Sequence, residues 1–299
     1  MKGLKHTDMD AEKNKVCGGT LYLVATPIGN LSDLSERALK VLSEVDFVAA
    51  EDTRNSGLLL SRFNISKPLV SYFEHNKRER GEYIASRLLS GESCALVTDA
   101  GMPAISDPGE DIVKLCAEKN IPVTCVPGCC AAVTALALSA LTTGRFAFEG
   151  FVTTNKTDRR DRLTSLKYEE RTMIFYEAPH KLRQTLSDML RYMGDRKITL
   201  CREMTKLNEE IIRTTLSDAV ALYEEKEPRG EFVLIVEGGY KDSENTAYPE
   251  DISEHIKSYT DSGLSKMDAI KAAAKDRGIP KGVLYKEIVK IENGEDYGK

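Results

Sequence analysis

Short runs of consecutive apolar residues, each closed by a turn of glycine, proline or small polar residues, recur along the first half of the chain. Thr20–Ala25 (TLYLVA) ends at Thr26-Pro27-Ile28-Gly29-Asn30, and Asp46–Ala50 (DFVAA) ends at Glu51-Asp52-Thr53-Arg54. Ala95–Thr98 (ALVT) ends at Asp99-Ala100-Gly101-Met102-Pro103, and Ile121–Val126 (IPVTCV) ends at Pro127-Gly128. Such runs, continuous rather than alternating, predict strands buried on both faces. Helical patterns fall between them: Leu34, Ala38 and Leu42 share one face over Leu31–Ser43, and Cys129–Leu141 predicts an apolar helix. Strand, turn and helix in alternation predict an α/β fold with a mostly parallel sheet covered on two faces. In open sheets of that kind ligands bind outside the carboxyl ends of the strands, where these polar and glycine-rich turns lie.

A second α/β unit is predicted from near Phe146, with strands at Met173–Tyr176, Ile198–Cys201 and Phe232–Val236. A helix over Lys181–Tyr192 carries Leu182, Leu186, Met189 and Leu190 on its apolar side. Thr154–Arg171 is polar and leans basic, which fits a solvated helix or loop on one reading and a lid or RNA contact on the other. After Gly239 the segment KDSENTAYPED has the composition of a linker. Beyond it Ser265-Lys-Met-Asp268 has the form of a capping box, and Met267, Ile270 and Ala274 make a stripe that Gly278 and Pro280 stop. Leu284 and Ile288 mark a further helix, so a helix-turn-helix-like appendage is expected. The expected division is a polar extension over 1–18, an N-terminal α/β domain over 19–130, a C-terminal α/β domain over 131–241, and linker plus appendage over 242–299.

Composition narrows the function classes. With 299 residues, 41% hydrophobic and 30% charged, the chain can bury a sizeable core and is not disordered as a whole. A net charge of -5 excludes a globally basic nucleic-acid coat but leaves room for a local patch. Lys266–Lys290 holds seven basic and three acidic residues, as an RNA contact would, or a wetted packing or dimerisation element. The apolar run Cys129–Leu141 is too short to span a bilayer, and Met1–Lys15 lacks the apolar core of a secretory signal. With seven cysteines, an odd number, these features point to a reducing cytoplasm and no membrane partner. Cys125, Cys129 and Cys130 lie close together without a CxxC or a histidine at ligand spacing, so small buried hydrophobes are expected there rather than a metal site.

Several common chemistries lose support. The chain has no G-x-G-x-x-G after its first strand, no P-loop, no HExxH and no G-x-S-x-G. His6 and His255 fall in expected tail or linker-adjacent segments. What remains are rigid strand-end turns, Pro27–Asn30 and Asp99–Gly109, whose glycines admit close backbone approach and whose prolines fix direction. No Lys or Arg occurs from Ala95 to Glu110, which favours a neutral or cationic ligand, with Asp99 or Asp107 available to a positive centre; the alternative is a purely structural turn.

The strings LYLVATPIGNLSDLSERAL, AEDTR, LVTDAGMPAISDPG, VPGCCAAVTAL, FYEAPH, REMTK and GEFVLIV, in this order over residues 20 to 240, resemble the tetrapyrrole-methylase superfamily. Within it the resemblance is to the branch that methylates the 2′-hydroxyl of a cytidine in small-subunit ribosomal RNA. Branches acting on porphyrin-like rings or making diphthine carry a Gly-Asp-Pro loop where this chain has DAGMPAISDPG. The resemblance implies two α/β domains, S-adenosylmethionine bent in the cleft between them, and a homodimer. It places Pro27, Gly29, Asp99, Ala100, Gly101, Met102 and Pro103 on the cofactor's first side, with Cys130 and Ala131 at its adenosine or methionine part. Tyr176, Glu177, Cys201 and Phe232 would close it from the second domain. Small Ser or Ala residues are usual where this chain has Cys129-Cys130, and cysteine is of similar size. Transfer to a ribose hydroxyl needs in-line positioning and gains from a base; Asp52, Asp107, His75 and Glu177 are the candidates, with Arg54 beside Asp52 to hold a phosphate. The alternatives are a tetrapyrrole methyltransferase, against which the basic stretches speak, and a non-catalytic RNA-binding assembly factor.

Overall fold

The computed structural model describes residues 15–239, 249, 251–277 and 279–292, which fall into two compact units divided after Gly239. Within the first unit, β1 (Leu21–Val24), β2 (Phe47–Ala50), β3 (Leu69–Ser71), β4 (Cys94–Val97) and β5 (Val123–Val126) form one sheet in the order β3-β2-β4-β1-β5. Every pairing in it is parallel. Its helices are α1 (Glu36–Glu44), α2 (Thr53–Arg62), α3 (Lys77–Leu89) and α4 (Glu110–Glu118). Because successive strand residues point to opposite faces, Val24, Val48, Ala50 and Val97 pack with α1, while Leu21, Phe47, Ala49 and Leu96 pack with α3 and α4. Both faces are therefore apolar, which is why these strands read as unbroken hydrophobic runs.

A second sheet, in the order β6-β7-β10-β8-β9, holds β6 (Phe146–Phe151), β7 (Thr172–Glu177), β8 (Lys197–Arg202), β9 (Glu210–Thr215) and β10 (Phe232–Val236). Only β6 and β7 run parallel in it; the other three pairings are antiparallel. One face carries α5 (Ala131–Leu138), whose Ala132, Ala135 and Leu136 meet Ile174, Val233 and Ile235. The opposite face carries α6 (Lys156–Ser165), α7 (Pro179–Met193) and α8 (Leu216–Glu225), through Leu163, Leu182, Leu186, Leu216 and Tyr223. These are two α/β lobes in one unit.

Several expectations need correction. The helix expected over Leu31–Ser43 starts later: a 3-10 turn spans Leu31–Asp33, and the Ser35 side chain accepts from Ala38 N to cap α1, leaving Leu34 outside it. Strands β3, β6 and β9 were not visible as apolar runs, because β3 and β9 are only half-buried and β6 alternates between exposed and covered residues. Thr154–Arg171 is largely exposed, as the solvated reading expects, but it is anchored by a few buried side chains. Its helix α6 buries Leu163 completely, and Arg159 donates from Nε to Asp188 of α7 at 2.6 Å. Cys125 is exposed and Cys129 and Cys130 are half-buried, so they are not small core residues.

The second unit contains three helices among its described residues, α9 (Ile252–Asp261), α10 (Lys266–Asp276) and α11 (Lys281–Glu292). Ser265 caps α10 at Asp268 N as expected, but Met267 is half exposed, and the stripe is Ala269, Ile270, Ala273 and Ala274 packed with Leu284 and Ile288. His255 follows the linker as expected, but it is buried in α9 and accepts from Arg277 Nε at 3.0 Å. The polar extension up to residue 14, with His6, Gly278 and most of the expected linker lie outside the described residues.

The packing of α6 predicts that Leu163→Ala will cost about 2–5 kcal/mol of unfolding free energy in urea titration. Leu89→Ala, at an exposed position of α3, should stay within roughly 0.5 kcal/mol of the parent.

Candidate active site

One cavity of about 430 Å³ opens between the two lobes of the first unit, at the carboxyl ends of β1 and β4. Its first-lobe wall rests on a backbone tie: Thr26 N donates to Gly101 O at 2.9 Å and Gly101 N returns to Thr26 O at 3.1 Å. This pins the turn after β1 to the loop after β4. Gly101 has φ +84°, and a Cβ there would lie 3.3 Å from Ile28 Cγ2. Ala104 and Ser106 in the same loop also take left-handed conformations, at φ 69° and 62°. Non-glycine residues pay roughly 1 kcal/mol or more for that, and such strain clusters at ligand sites.

The second-lobe wall is built from the ends of β7, β8 and β10. After β8, Glu203 and Thr205 are again left-handed, at φ 51° and 66°. Lys206 Nζ donates to Glu203 at 2.9 Å and to Glu231 at 2.8 Å, and Glu231 N donates to Glu203 Oε1 at 3.0 Å. Gly230 makes this possible, since a Cβ there would come within 2.5 Å of the Glu203 side chain. Gly29 does the same between the lobes: a Cβ on it would stand 2.5 Å from Lys206 Cγ and 2.7 Å from Thr205 Oγ1.

Glu177, at the end of β7, lines the cavity yet is almost wholly buried. One carboxylate oxygen accepts from Ala178 N at 2.9 Å, and the other accepts from the Thr185 hydroxyl. That hydroxyl in turn accepts from Arg159 Nη2 at 2.8 Å. A buried chain thus runs from Asp188 and Arg159 through Thr185 to a carboxylate at the cavity wall, holding its rotamer.

Asp107 is the other titratable group of note. Burial pushes its carboxyl up, and the neighbouring Glu51 and Asp99 carboxylates add to this, bringing it to about 6. Glu51 is raised too, by burial and then by Asp99. Asp52 goes the opposite way: its hydrogen bonds from Arg54 hold it at about 2. It caps α2 at Arg54 N and forms an ion pair with Arg54 at 2.6 Å, a salt-bridged turn. Burial lifts the Tyr176 phenol to about 12, and Ala132 N donates to its oxygen at 3.2 Å.

The cavity brings together ten of the expected residues: Ala100, Gly101, Met102, Asp107, Cys130, Ala131, Tyr176, Glu177, Cys201 and Phe232. Pro27, Gly29 and Asp99 line an adjacent, smaller hollow instead: the first turn alternates about Ile28, and the second changes sides between Asp99 and Ala100. Pro103, Asp52, Arg54 and His75 line neither; the His75 ring lies exposed, edge-on to Phe73 at 6.1 Å.

Residues 20–220 match the family model described as Tetrapyrrole (Corrin/Porphyrin) Methylases. The chain is 43% identical over 275 residues to the ribosomal RNA small subunit methyltransferase I of a Synechocystis species, covering 92% of this chain and 99% of that one. It is 48% identical over 270 residues to the protein of the same name from Halalkalibacterium halodurans, covering 89% and 93%. The chain belongs to the tetrapyrrole methylase family. Solved structures agree on the fold: diphthine synthase superposes with a TM-score of 0.56 at 14% identity, over 73% of this chain and 90% of that one. A cobalt precorrin-4 methyltransferase gives 0.54 at 17%, over 73% and 94%.

S-adenosylmethionine is the cofactor this methylase family implies, and the cavity suits it. Its volume falls within the roughly 300–1,000 Å³ typical of small-molecule sites. Asp107, Glu177, Glu203 and Glu231 line it against one cation among its described lining residues, Lys206, already shared by two of those carboxylates. Such a surface favours a sulfonium and an ammonium over a phosphate. Phe151 and Tyr176, 5.6 Å apart in an edge-on pair, add aromatic wall. Glu203, Lys206, Glu231 and Phe151 were not singled out from sequence. The spacing of REMTK and GEFVLIV hides that Gly230 brings their acidic residues together.

Gly101→Val should weaken S-adenosylmethionine binding at least tenfold by calorimetry, since a branched side chain meets both a left-handed backbone and Ile28. Thr185→Val should also weaken it while Thr185→Ser keeps it, because only a hydroxyl can accept from Arg159 and donate to Glu177.

Proposed function

We propose that this chain transfers a methyl group from S-adenosylmethionine to the 2′-hydroxyl of a cytidine in small-subunit ribosomal RNA, near its decoding region. The observation that carries the reading is near full-length agreement, at 41–48% identity, with relatives that bear a small-subunit rRNA methyltransferase name. The acidic cavity without a phosphate clasp supports the same donor.

When bound, the sulfonium supplies an already electrophilic methyl. The chain's own work is then positioning, for which well-aligned reactions reach effective molarities of roughly 10⁵ M or more. Ala100–Met102, Cys130 and Ala131 form the first-lobe cradle, and Tyr176, Glu177, Cys201 and Phe232 close it from the second lobe. Asp107 is the base: it lines the cavity, and its carboxyl at about 6 is ionised at neutral pH yet basic enough to accept a hydroxyl proton in the transition state. Asp52, at about 2 and tied to Arg54, is a far weaker base. Arg54 instead offers a largely exposed guanidinium to an RNA phosphate. The basic appendage, seven cations to three anions over Lys266–Lys290, serves as a further RNA contact.

A homodimer and a cytoplasmic location belong to the same proposal. Phe146 and Phe148, exposed on edge strand β6, suit a second copy. No helix of the described residues is long and apolar enough to cross a membrane.

Labelled S-adenosylmethionine added to small ribosomal subunits should place label in the RNA. Label passing to a tetrapyrrole precursor, or none transferred, would overturn the reading. The kcat/KM profile should fall toward acid with an apparent pKa of about 6. Asp107→Asn should remove that limb and lower the rate by about 10²–10⁴-fold. Removal of residues after Tyr248 should weaken RNA binding and flatten its salt dependence.

A further inference from the structure

Beside the cavity, a second hollow of about 180 Å³ is lined by Pro27, Gly29, Asn55, Leu59, Thr98 and Asp99, among others. The two spaces share their wall. Ile28 faces the cavity and its neighbours Pro27 and Gly29 face the hollow; Ala100 and Gly101 face the cavity and Thr98 and Asp99 the hollow. Neighbouring residues of the same two turns therefore line both spaces.

The chemistry of the hollow differs from that of the cavity. Asn55 Nδ2 donates to Asp99 Oδ2 at 3.0 Å, which fixes an amide beside a carboxylate. That bond uses one amide hydrogen and one carboxylate oxygen. An N–H donor and an acceptor oxygen remain side by side, framed by Pro27 and the aliphatic Leu59. The neighbouring Arg54 holds its guanidinium at the surface, steadied by Asp52 at 2.6 Å. A flat ring with an amino group next to an acceptor nitrogen, attached to a sugar-phosphate, matches all three features. Cytosine offers that edge: its N4 amino group donates to a carboxylate and its N3 accepts from an amide. Uracil reverses both, presenting O4 to the carboxylate and N3–H to the donor.

We propose that this hollow is the subsite for the base of the acceptor nucleotide, with Asp99 and Asn55 reading cytosine's Watson–Crick edge and Arg54 holding the adjoining phosphate. The ribose then lies over the rim of the shared wall, and its 2′-hydroxyl enters the cavity on the side of Asp107. Asp99 is therefore a specificity residue rather than a cofactor anchor. The assignment rests on the rRNA methylation reading and adds to it the means of base selection.

The test uses the full chain, labelled S-adenosylmethionine, and small-subunit particles reconstituted with cytidine or uridine at the methylated position. The parent should prefer cytidine by roughly 10- to 100-fold in kcat/KM. Asp99→Asn presents an amide where the carboxylate stood, and should accept uridine while losing at least tenfold on cytidine, with S-adenosylmethionine affinity within twofold of the parent. Leu59→Phe, which fills the hollow without touching Asp99, should raise KM for the particles at least tenfold and leave cofactor affinity alone. If Asp99→Asn loses cofactor binding, or keeps the parent's cytidine preference at full rate, the base subsite is wrong even though the parent methylates RNA. If the parent labels no RNA, it is the methylation reading that falls, and this subsite with it.

Discussion

The paired hydrogen bonds between Thr26 and Gly101 are the constraint on which the rest of the site depends. They join two strand-end turns that are far apart in sequence, and they do so through backbone groups that any side chain could accompany. What is specific is the room around them. Gly101 adopts φ +84° against Ile28, and Gly29 lets the Thr205–Lys206 turn of the other lobe close on the first. With those positions set, consecutive residues of one turn face two different spaces. A cavity for a cationic donor and a polar hollow then stand on either side of a shared wall.

Charge placement follows the same economy. Phosphate-binding loops combine backbone amides with a nearby lysine; here the cavity's lysine is already shared by Glu203 and Glu231, while Asp107 and Glu177 remain as carboxylates. Burial raises Asp107 first, and the crowding of Glu51 and Asp99 beside it at the ends of β2 and β4 adds to the rise. Glu177 is treated in another way. Its burial is offset by Thr185 and, through it, by Arg159, a residue of the polar stretch that sequence pattern alone left between a solvated segment and a lid. A basic helix surface and a buried anchor for the cavity wall are two sides of the same ten-residue element.

The core strands of both lobes were legible because burial on two faces forces continuous apolar runs: TLYLVA, DFVAA and FVLIV each cover an observed strand, and ALVT overlaps one that starts a residue earlier, at Cys94. The missed strands β3, β6 and β9 are sheet edges or nearly so, and an edge needs fewer apolar side chains to be stable. The turn after β1 and the loop after β4 were identifiable as ligand-facing from their glycines and prolines. Which side of the turn each residue faces was not, and Asp99 and Gly101 part company for that reason. His255 shows a limit of the opposite kind. A lone histidine near a polar segment gives no sign that α9, α10 and Arg277 bury it.

Local pattern decided the strand–turn–helix order, the buried faces and the position of the rigid turns, since periodicity and backbone chemistry act over a few residues. The family strings carried the choice of donor. Tertiary structure alone decided that the second sheet is mixed rather than parallel, that Gly230 lets Glu203 meet Glu231 and Lys206, and that Asn55, after β2, meets Asp99, after the neighbouring β4. Glu203 and Glu231 are 28 positions apart, and Asn55 and Asp99 are 44 apart. These pairings depend on close approach and on the absence of a Cβ in one place, conditions that exist only after the chain has closed on itself.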